Sequence, residues 1–356
     1  MKKLISVMAC ISLSFLMIFA GCKEAVRNIN DILSDITAAE QSDSSDIVSE
    51  IGQKEDERTE NRKAEETDSK AEKQQENTPS EAEPEGKQGK YKNYCYSFLS
   101  DAQKGYYKLM MRAIDNLLTG KILVNGAAED PNAQNNISLA FTSLLADHPE
   151  YFWLKTSFKT FLESNSEEIY IQFTYLVEDR GKLEDMKDEL NRAVAALLKK
   201  SEGLSAFEKE VYFHDYLCDS IDYSQSTNFC HTVYGALVEG KSVCEGYSKA
   251  MQLLLNFSDI NCITVRGEDN DGYSHMWNKL ELAGEWYALD VTWDDPINTD
   301  KISYAFFNLT DKQMGETHVT DKNYTPDTLP KRFVNLEYNF CLPDANGKYY
   351  TAEKAE

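Results

Sequence analysis

Aromatic residues are missing from a long stretch near the start of the chain. Residues 23–90 contain no Phe, Trp or Tyr, although these residues make up 11% of the 356-residue sequence. The same stretch carries 19 acidic and 10 basic residues. A segment with so little apolar surface cannot offset the conformational entropy that is lost on ordering. We therefore predict a disordered acidic linker over residues 22–90.

Basic residues are scarce in the chain as a whole. There are 37 Lys and Arg against 60 Asp and Glu, which gives a formal net charge of −23. Nucleic acids and anionic lipid headgroups are bound by clustered Lys and Arg, so we expect neither as a partner. Residues 91–356 alone carry 41 acidic and 25 basic residues. We therefore expect basic peptides to be steered towards this part of the chain.

The first 21 residues have the pattern of a secretory signal peptide. A positive start, Met1 to Lys3, precedes an uncharged apolar run, Leu4 to Phe19, that is marginal for a membrane span. The small pair directly before Cys22 resembles the bacterial lipobox, whose cysteine becomes the lipidated first residue of the mature protein. We predict a signal peptide over residues 1–21 and a lipid anchor at Cys22 that holds the exported protein on the bacterial cell membrane. Cleavage without lipidation and an uncleaved anchor are the alternatives, and both also export the chain.

Aromatic residues and apolar periodicity return together at Tyr91 and predict a folded part that extends to the end of the chain. Ser100 and Gln103 have the spacing of a capping box at a helix start, and Ser205 is predicted to open a later helix. Further predicted elements are helices at 137–145 and 183–198 and a strand at 169–175. We assign three regions here: a mostly helical N-terminal subdomain at 91–204, a catalytic core at 205–325 and a C-terminal extension at 326–356.

Cys244 is predicted to lie in the first turn of a helix. Ser242 and Glu245 have capping-box spacing, with Ser242 as the N-cap, and apolar residues continue the helix to Phe257. The unpaired N–H groups and the dipole at a helix start stabilise an anion, and the thiolate is the nucleophilic form of cysteine. A lone helical cysteine is otherwise commonly a buried apolar residue. The residues near it therefore decide between the two interpretations.

Two strands at 273–282 and 286–293 are predicted to form an antiparallel hairpin around a two-residue loop at 283–284. Pairing across this loop places His275 and Asp290 on one face of neighbouring strands, diagonally related and within side-chain reach. The two side chains would still share that face if the strand register were shifted by two residues from this pairing.

Cys244, His275 and Asp290 are together the parts of a thiol acyl-transfer triad. In such a triad Cys244 attacks a carbonyl, His275 takes the thiol proton and returns it to the leaving amine, and Asp290 orients the imidazole. Taken singly, a hairpin histidine and an aspartate beside tryptophan are commonly structural. Their combination with Cys244 favours a catalytic role.

Three sequence blocks carry a family resemblance: CEGY at 244–247, HMWN at 275–278 and DVTWDDP at 290–296. In this order they resemble the bacterial transglutaminase-like superfamily, and the resemblance extends over about Tyr91 to Tyr324. It implies a papain-like α+β fold in which the cysteine helix packs on an antiparallel sheet that supplies the histidine and the aspartate. It also implies that the first residue of each block belongs to the triad. Asp259 stands where many members have Gly, and Asp tolerates the left-handed conformation there.

Four residues beside the triad are expected to line or brace the site: Trp277, Asn278, Trp293 and Asp294. Ordinary core and turn positions are the alternative for all four. The backbone N–H of Cys244 is expected to donate to the oxyanion of the reaction. The side chain that supplies the second donor is left open.

No two of the eight cysteines have Cys-x-x-Cys spacing, so we predict no metal site and no cofactor. Five cysteines remain for pairing once those of the signal peptide, the lipid anchor and the nucleophile are set aside, and an odd number cannot all pair. We therefore expect a chain that is not organised around disulfides. Cys218 with Cys230 is the one bridge to test.

These features predict a cell-surface cysteine enzyme that forms an acyl-thioester with an amide substrate. Family analogy favours hydrolysis, as in a peptidase or amidase, over transfer to an amine, as in a transglutaminase. Proteins, peptides or cell-wall peptides are the expected substrates. A non-catalytic surface module that binds peptide or glycan is the alternative. Substrate identity, oligomeric state and envelope type are left open.

Overall fold

The computed structural model describes residues 93–163, 168–295, 301–320 and 341–355. The predicted signal peptide, the lipidation site at Cys22 and the acidic linker lie outside the described residues. The chain divides into two units, residues 1–85 with 120–122 and residues 86–119 with 123–356. The elements given below belong to the second unit, except for Ile122, which belongs to the first. Within the described ranges, no helix is both long and apolar enough to cross a membrane.

The helices and strands are numbered in chain order over the described residues. The α-helices are α1 (Tyr94–Ser97), α2 (Asp101–Asp115), α3 (Ala133–Asp147), α4 (Arg180–Lys200), α5 (Ala206–Ser220), α6 (Cys244–Phe257), α7 (Val291–Asp294), α8 (Asp311–Met314) and α9 (Ala352–Ala355), and a π-helical turn spans Gly235–Glu239. The strands are β1 (Ile122–Leu123), β2 (Leu154–Leu162), β3 (Ile169–Tyr175), β4 (Asp222–Tyr223), β5 (Lys241–Ser242), β6 (Cys262–Asp269), β7 (Ser274–Leu282), β8 (Glu285–Leu289) and β9 (His318–Thr320).

The N-terminal helices begin where local sequence signals place them. The Ser100 side chain accepts from the Gln103 N–H at 3.4 Å, and the Gln103 side chain accepts from the Ser100 N–H at 2.8 Å, so the predicted capping box opens α2. Ser205 opens α5 with a capping box of its own. The helices predicted at 137–145 and 183–198 lie within α3 and α4, and the strand predicted at 169–175 is β3. These predictions are confirmed.

A four-stranded antiparallel sheet in the order β8-β7-β6-β9 forms the second half of the fold. Helix α6 packs on its central strands, β6 and β7. Two hydrogen bonds hold the helix there: the Asn278 side chain donates to the Ser248 carbonyl at 2.9 Å, and the Ser248 hydroxyl donates to the Met276 carbonyl at 2.9 Å. The predicted α+β fold, with the cysteine helix packed on an antiparallel sheet, is confirmed.

The β7–β8 hairpin turns through Ala283 and Gly284, whose φ angles are 53° and 84°. Positive φ at both loop positions is typical of a type I′ turn, which matches the twist of the flanking strands. Leu282 pairs with Glu285, as the two-residue loop predicts. The pairing ends at Leu289, however, so the prediction that the second strand continues to residue 293 is wrong.

Asp290 ends the strand because its carboxylate caps a helix. Its side chain accepts from the N–H groups of Thr292 at 3.0 Å and Trp293 at 3.3 Å, and α7 begins at Val291. Aspartate is among the strongest N-cap residues, and such a local side-chain bond competes with continued strand pairing. The chain therefore leaves the hairpin directly after Asp290.

Helix α6 does not begin with the predicted capping box. Its N-cap is Val243 in an extended conformation, and among the described residues no side chain caps this position. The Ser242 hydroxyl instead donates to the Cys230 carbonyl at 2.7 Å. A Cβ on Gly246 would lie 1.8 Å from the Ser242 hydroxyl oxygen, so glycine allows this close approach. Cys244 is nevertheless the first helical residue, as a nucleophile position requires.

The other end of α6 agrees with the sequence. The helix ends at Phe257. Asp259 follows with a φ of 61°, in the left-handed region that commonly terminates a helix. The conformation predicted for Asp259 is therefore confirmed.

The C-terminal segment 341–355 lies on the sheet. Ala345 joins a buried apolar cluster with Trp277 of β7. The Gly347 N–H donates to the Trp286 carbonyl of β8 at 3.0 Å. The segment thus supports the strand that carries His275.

Candidate active site

His275 and Asp290 are joined by a short hydrogen bond. His275 lies near the start of β7 and Asp290 directly after β8, and His275 Nε2 donates to Asp290 Oδ2 over 2.6 Å. The Asp290 carboxylate is fully buried. Burial alone would raise its pKa, but the bonds from His275 and His318 bring the pKa below its ordinary value. Asp290 is therefore held as a carboxylate that accepts the imidazole N–H.

A second imidazole donates to the same carboxylate oxygen. His318 Nε2 lies 3.0 Å from Asp290 Oδ2, and His318 Nδ1 lies 2.8 Å from the Thr317 hydroxyl. His318 begins β9, opposite Asp269 at the end of β6. It is not among the residues predicted from sequence, since no motif or periodicity marks a three-residue edge strand. Its one signal is scarcity, because the whole chain has five histidines.

Cys244 is partly exposed at the start of α6 and contacts the His275 imidazole. Because Asp290 occupies Nε2 of His275, Nδ1 is the nitrogen left for the thiol. Burial alone would lower the pKa of His275, but the hydrogen bond to Asp290 and the contact with Cys244 raise it to about 10. An imidazole with this pKa is a cation at neutral pH. The structure thus brings the three predicted triad residues together.

The four residues predicted to line or brace the site occupy two kinds of position. Trp293 is half-buried, has its ring centroid 5.5 Å from that of His275, and lines the adjacent cleft. Trp277 is buried and stacks on His275 with centroids 6.1 Å apart. Asn278 and Asp294 are fully buried; Asn278 holds α6, and Asp294 accepts a backbone N–H at 2.9 Å. Trp293 therefore lines the site, and the other three brace it.

A cleft of about 470 Å³ adjoins His275. Its other lining side chains are aromatic, acidic or neutral and polar: Tyr223, Gln225, Asp269, Tyr273, Ser274, Thr292, Trp293 and Asp295. Tyr223 and Tyr273 are 49% and 71% exposed, so their rings are accessible to a ligand. The cleft therefore offers apolar contact and negative charge beside the imidazole.

Glu245 is the neighbour of the thiol and would oppose a thiolate if its charge were not balanced. Its carboxylate lies 2.7 Å from Lys249 Nζ, 3.1 Å from His231 Nδ1 and 3.6 Å from the Arg266 guanidinium. Burial alone would raise the pKa of Glu245, but the charge of Lys249, the hydrogen bond with His231 and the charge of Arg266 hold it well below its ordinary value. A carboxylate paired in this way adds little negative potential at Cys244.

His275, Asp290 and His318 could also hold a metal ion, because their ligand atoms lie within 4.8 Å of one another. Two imidazoles and a carboxylate are a known ligand set for Zn²⁺. The N···O distances of 2.6 and 3.0 Å are those of hydrogen bonds, however, so the three groups satisfy one another. A metal ion would take the His275 nitrogen that now binds Asp290, and would therefore compete with the triad arrangement.

The part of the chain that contains these residues matches a known family. Residues 192–291 match the family model described as the transglutaminase-like superfamily, and the match includes Cys244, His275 and Asp290. Among curated proteins, the chain is similar to kyphoscoliosis peptidase from Mus musculus, at 25% identity over 181 residues. This similarity covers 43% of the chain and 27% of that relative. The chain thus spans about a quarter of the length of the peptidase.

Two solved structures are also similar to part of the chain. A crystal structure of a TGase matches 42% of this chain and 47% of its own, with 14% identity and a TM-score of 0.28. A structure of a candidate cysteine protease from Cytophaga hutchinsonii matches 38% of this chain and 61% of its own, with 15% identity and a TM-score of 0.26.

Proposed function

We propose that this protein, whose residues 192–291 match the model of the transglutaminase-like superfamily, is a cysteine enzyme that forms an acyl-thioester with an amide substrate. The observation that carries the proposal is the chain of contacts from Cys244 through His275 to Asp290. Each residue lies at a fixed point of the fold: the start of α6, the start of β7 and the N-cap of α7. Nucleophilic catalysis depends on such preset geometry.

The reaction begins when the Cys244 thiol proton passes to Nδ1 of His275, which makes the sulfur a nucleophile. The sulfur attacks the amide carbonyl carbon, and the carbonyl electron pair moves to the oxygen. When the tetrahedral intermediate collapses, the C–N bond breaks and His275 gives its Nδ1 proton to the leaving amine. The neutral imidazole then takes a proton from the water or amine that attacks the thioester, and Cys244 leaves as a thiolate. Asp290 holds the Nε2–H of His275 throughout.

His318 supports this cycle as a positioning residue. It donates to Asp290 Oδ2 at 3.0 Å, beside the bond from His275. With the two backbone N–H groups that donate to Oδ1, four N–H groups fix the rotation of this carboxylate. Its own ring is held by aromatic packing, with centroids 4.5 Å from Trp293 and 4.9 Å from Trp277. Asp290 is thereby kept in the orientation that aligns His275 with the thiol.

Gln225 is our assignment for the second oxyanion donor. The first donor is the backbone N–H of Cys244, because the first N–H of a helix has no acceptor within that helix. Gln225 lines the cleft beside His275 and is the lining residue with a carboxamide, which donates N–H without carrying a charge. Thr292 lines the same cleft, and its hydroxyl is buried without a partner among the described residues, which makes it the natural control.

Hydrolysis is the outcome that we favour for the thioester. Deacylation by water requires solvent access, which the cleft beside His275 offers, whereas transfer to an amine requires a second groove that holds the amine. The curated relative is named a peptidase, which agrees with hydrolysis. Transamidation is the second candidate and shares the first half of the reaction.

The substrates that we propose are proteins, peptides or cell-wall peptides with basic side chains, encountered outside the cytoplasm. The signal-peptide pattern and the lipobox at Cys22 support export and anchoring to the cell membrane. The net charge of −23 attracts basic molecules, and Asp269 and Asp295 extend this charge into the cleft. Salt is expected to weaken such steering.

A surface module that binds peptide or glycan without turnover is the alternative function. The exposed rings of Tyr223 and Tyr273 would serve binding equally well. Catalysis is better supported, because simple binding does not require a buried carboxylate behind an imidazole that contacts a thiol.

The deciding experiment compares the chain without residues 1–22 with its Cys244→Ala variant. Each is incubated with casein, with a fluorescent primary amine and with cell-wall fragments. New peptide termini identify a peptidase, released cell-wall amines identify an amidase, and incorporated fluorescence identifies a transamidase. Each signal must disappear in the variant. If neither form gives any of the three signals and both still bind peptide or glycan, the enzymatic proposal is contradicted and the binding module is supported.

A further inference from the structure

Two thiols far from the cleft lie almost within bonding distance. Cys95 Sγ and Cys341 Sγ are 2.9 Å apart, although 246 positions separate the two residues in the chain. Both side chains are buried, at 5% and 7% exposure. The bonded S–S length is about 2.05 Å, so the sulfurs need to approach by about 0.9 Å, which is within the range of small side-chain rotations.

The backbone around Cys95 is fixed by one buried carboxylate. Asp147 accepts from the Cys95 N–H at 2.8 Å, from the Tyr96 N–H at 2.9 Å and from the Tyr107 hydroxyl at 3.1 Å. These three bonds join α1 to α2 and α3. The Cys95 backbone is therefore held in place before any covalent bond forms.

The segment after Cys341 is anchored independently. Lys279 Nζ donates to the Pro343 carbonyl at 2.7 Å, and the Ala345 N–H donates to Asp311 Oδ2 at 2.9 Å. Ala345 is buried in the apolar cluster under β7. Both partners of the thiol pair are thus presented by fixed backbone, which keeps the cost of closing the bond low.

We propose that Cys95 and Cys341 form a disulfide when the chain folds in the presence of a disulfide oxidant such as oxidised glutathione. One thiolate attacks a sulfur of the oxidant and releases one reduced thiol. The second thiolate then attacks the mixed disulfide, forms the Cys95–Cys341 bond and releases the second reduced thiol. Two protein thiols are oxidised and one oxidant disulfide is reduced. This bond is independent of the proposed enzymatic activity.

The bond would close a loop that contains the whole candidate active site, and such closure stabilises the fold by restricting the unfolded chain. It would tie α1 to the C-terminal segment that lies on the sheet. It leaves Cys244 free, as a nucleophile requires. The hydrogen bond with Cys341 and burial raise the pKa of Cys95 well above its ordinary value. Exchange in the folded protein is therefore slow at neutral pH, and the bond is expected to form during folding.

The test maps thiols after refolding. The full-length chain is reduced, refolded in a glutathione redox buffer at alkaline pH, treated with iodoacetamide and digested with trypsin without reduction. Trypsin releases the peptides 93–104 and 333–348, which contain Cys95 and Cys341 respectively and no other cysteine. The expected product is a disulfide-linked pair of these two peptides. Separate recovery of both peptides with alkylated cysteines overturns the proposal.

The same digest contains an internal control. Cys218 and Cys230 share the tryptic peptide 210–241, and we expect both to be alkylated there. An unalkylated form of this peptide, with Cys95 and Cys341 free, would favour the bridge suggested by sequence and contradict ours.

A thermal measurement provides a second readout. Reductant is expected to lower the unfolding midpoint of the oxidised parent chain by on the order of 5–10 °C, the effect of losing a typical disulfide. Cys341→Ser is expected to show no shift with reductant, whereas Cys218→Ser is expected to keep the shift. A reductant shift that survives in Cys341→Ser contradicts the proposal. If that variant does not fold, the peptide map of the parent chain decides alone.

Discussion

His275 and His318 donate to one and the same oxygen, Oδ2 of Asp290, over 2.6 and 3.0 Å. The strands that carry them, β7 and β9, are not neighbours, because β6 lies between them in the sheet. Asp290 itself follows β8 at the opposite edge. One carboxylate therefore connects residues from three strands, and the orientation of His275 depends on a histidine two strands away.

His318 is expected to control turnover through this shared oxygen. His318→Leu removes one donor and lets the Asp290 carboxylate rotate, so we expect kcat to fall by about 10–100-fold, as for other groups that orient a reacting residue. KM is expected to change little, because His318 does not line the cleft. The measurement compares the steady-state kcat and KM of the parent and the variant on a peptide that contains a casein site cleaved by the parent.

His318→Gln is the matched control, because its amide nitrogen can replace Nε2 as a donor. We expect it to recover most of the lost kcat. If both variants lose activity equally and also lose the same thermal stability, the role of His318 is structural. Full activity in His318→Leu would show that the second bond to Asp290 is unimportant.

The pKa of His275 predicts activity that persists to high pH. The folded value of about 10 exceeds the ordinary 6.5, so the imidazolium that protonates the leaving amine is present at neutral pH and is lost as pH rises through about 10. The stability gained from the bond to Asp290 follows the same course: it is complete below pH 6.5 and disappears as pH rises through about 10. We therefore expect the alkaline limb of kcat/KM near pH 10.

Asp290→Asn tests the cause of this shift. Asparagine retains a side-chain oxygen to cap α7 but removes the negative charge beside His275. The alkaline limb is expected to move to lower pH, and kcat is expected to fall by about 10³-fold or more when the imidazole loses its carboxylate. An alkaline limb at the same pH in both proteins would mean that a group other than His275 controls it.

The sequence predicted the parts of the site that depend on local signals. The helix starts at Ser100 and Ser205 follow from capping residues. The two-residue loop at 283–284 follows from hairpin chemistry, and it brings His275 and Asp290 to the same end of the sheet. Each of these features is determined within one short, continuous segment of chain.

What the sequence did not predict depends on tertiary packing. His318 reaches Asp290 only because β9 pairs with the end of β6. Cys341 reaches Cys95 across most of the chain, which no spacing rule anticipates. Ser242 is not the N-cap of α6, and its hydroxyl donates to the Cys230 carbonyl twelve residues earlier. In each case the partner comes from another element, so local sequence contains no trace of it.

Gln225 is expected to stabilise the oxyanion. Gln225→Ala removes a donor that acts on developing charge, so we expect kcat to fall by about 10²–10³-fold with a smaller change in KM. Thr292→Val removes another side-chain donor of the cleft-lining residues while keeping the side-chain shape, and is expected to have little effect. The reverse result, a large loss in Thr292→Val and none in Gln225→Ala, would transfer the role to Thr292.

Glu210 is a buried acid that the proposed reaction does not use. It lies in α5 and is fully buried; Oε2 accepts from Asn308 Nδ2 at 3.0 Å, and Oε1 has no partner among the described residues. Burial raises its pKa to about 8, and the bond from Asn308 and the nearby His214 offset only part of this effect. The folded protein therefore keeps Glu210 protonated at neutral pH, whereas the unfolded chain ionises it above its ordinary 4.5.

This difference in pKa lowers the stability of the fold as pH rises from 4.5 to about 8. Over this range the unfolded chain releases the Glu210 proton, which lowers the free energy of the unfolded state, and the folded protein does not. Glu210→Gln has nearly the same shape and no proton to release. We expect it to raise the free energy of unfolding at pH 7 by on the order of 2–3 kcal/mol relative to the parent. Denaturant unfolding at pH 5 and pH 7.5 provides the check, since the advantage of the variant must be larger at the higher pH. An equal advantage at both values would mean that packing, and not proton release, separates the two proteins.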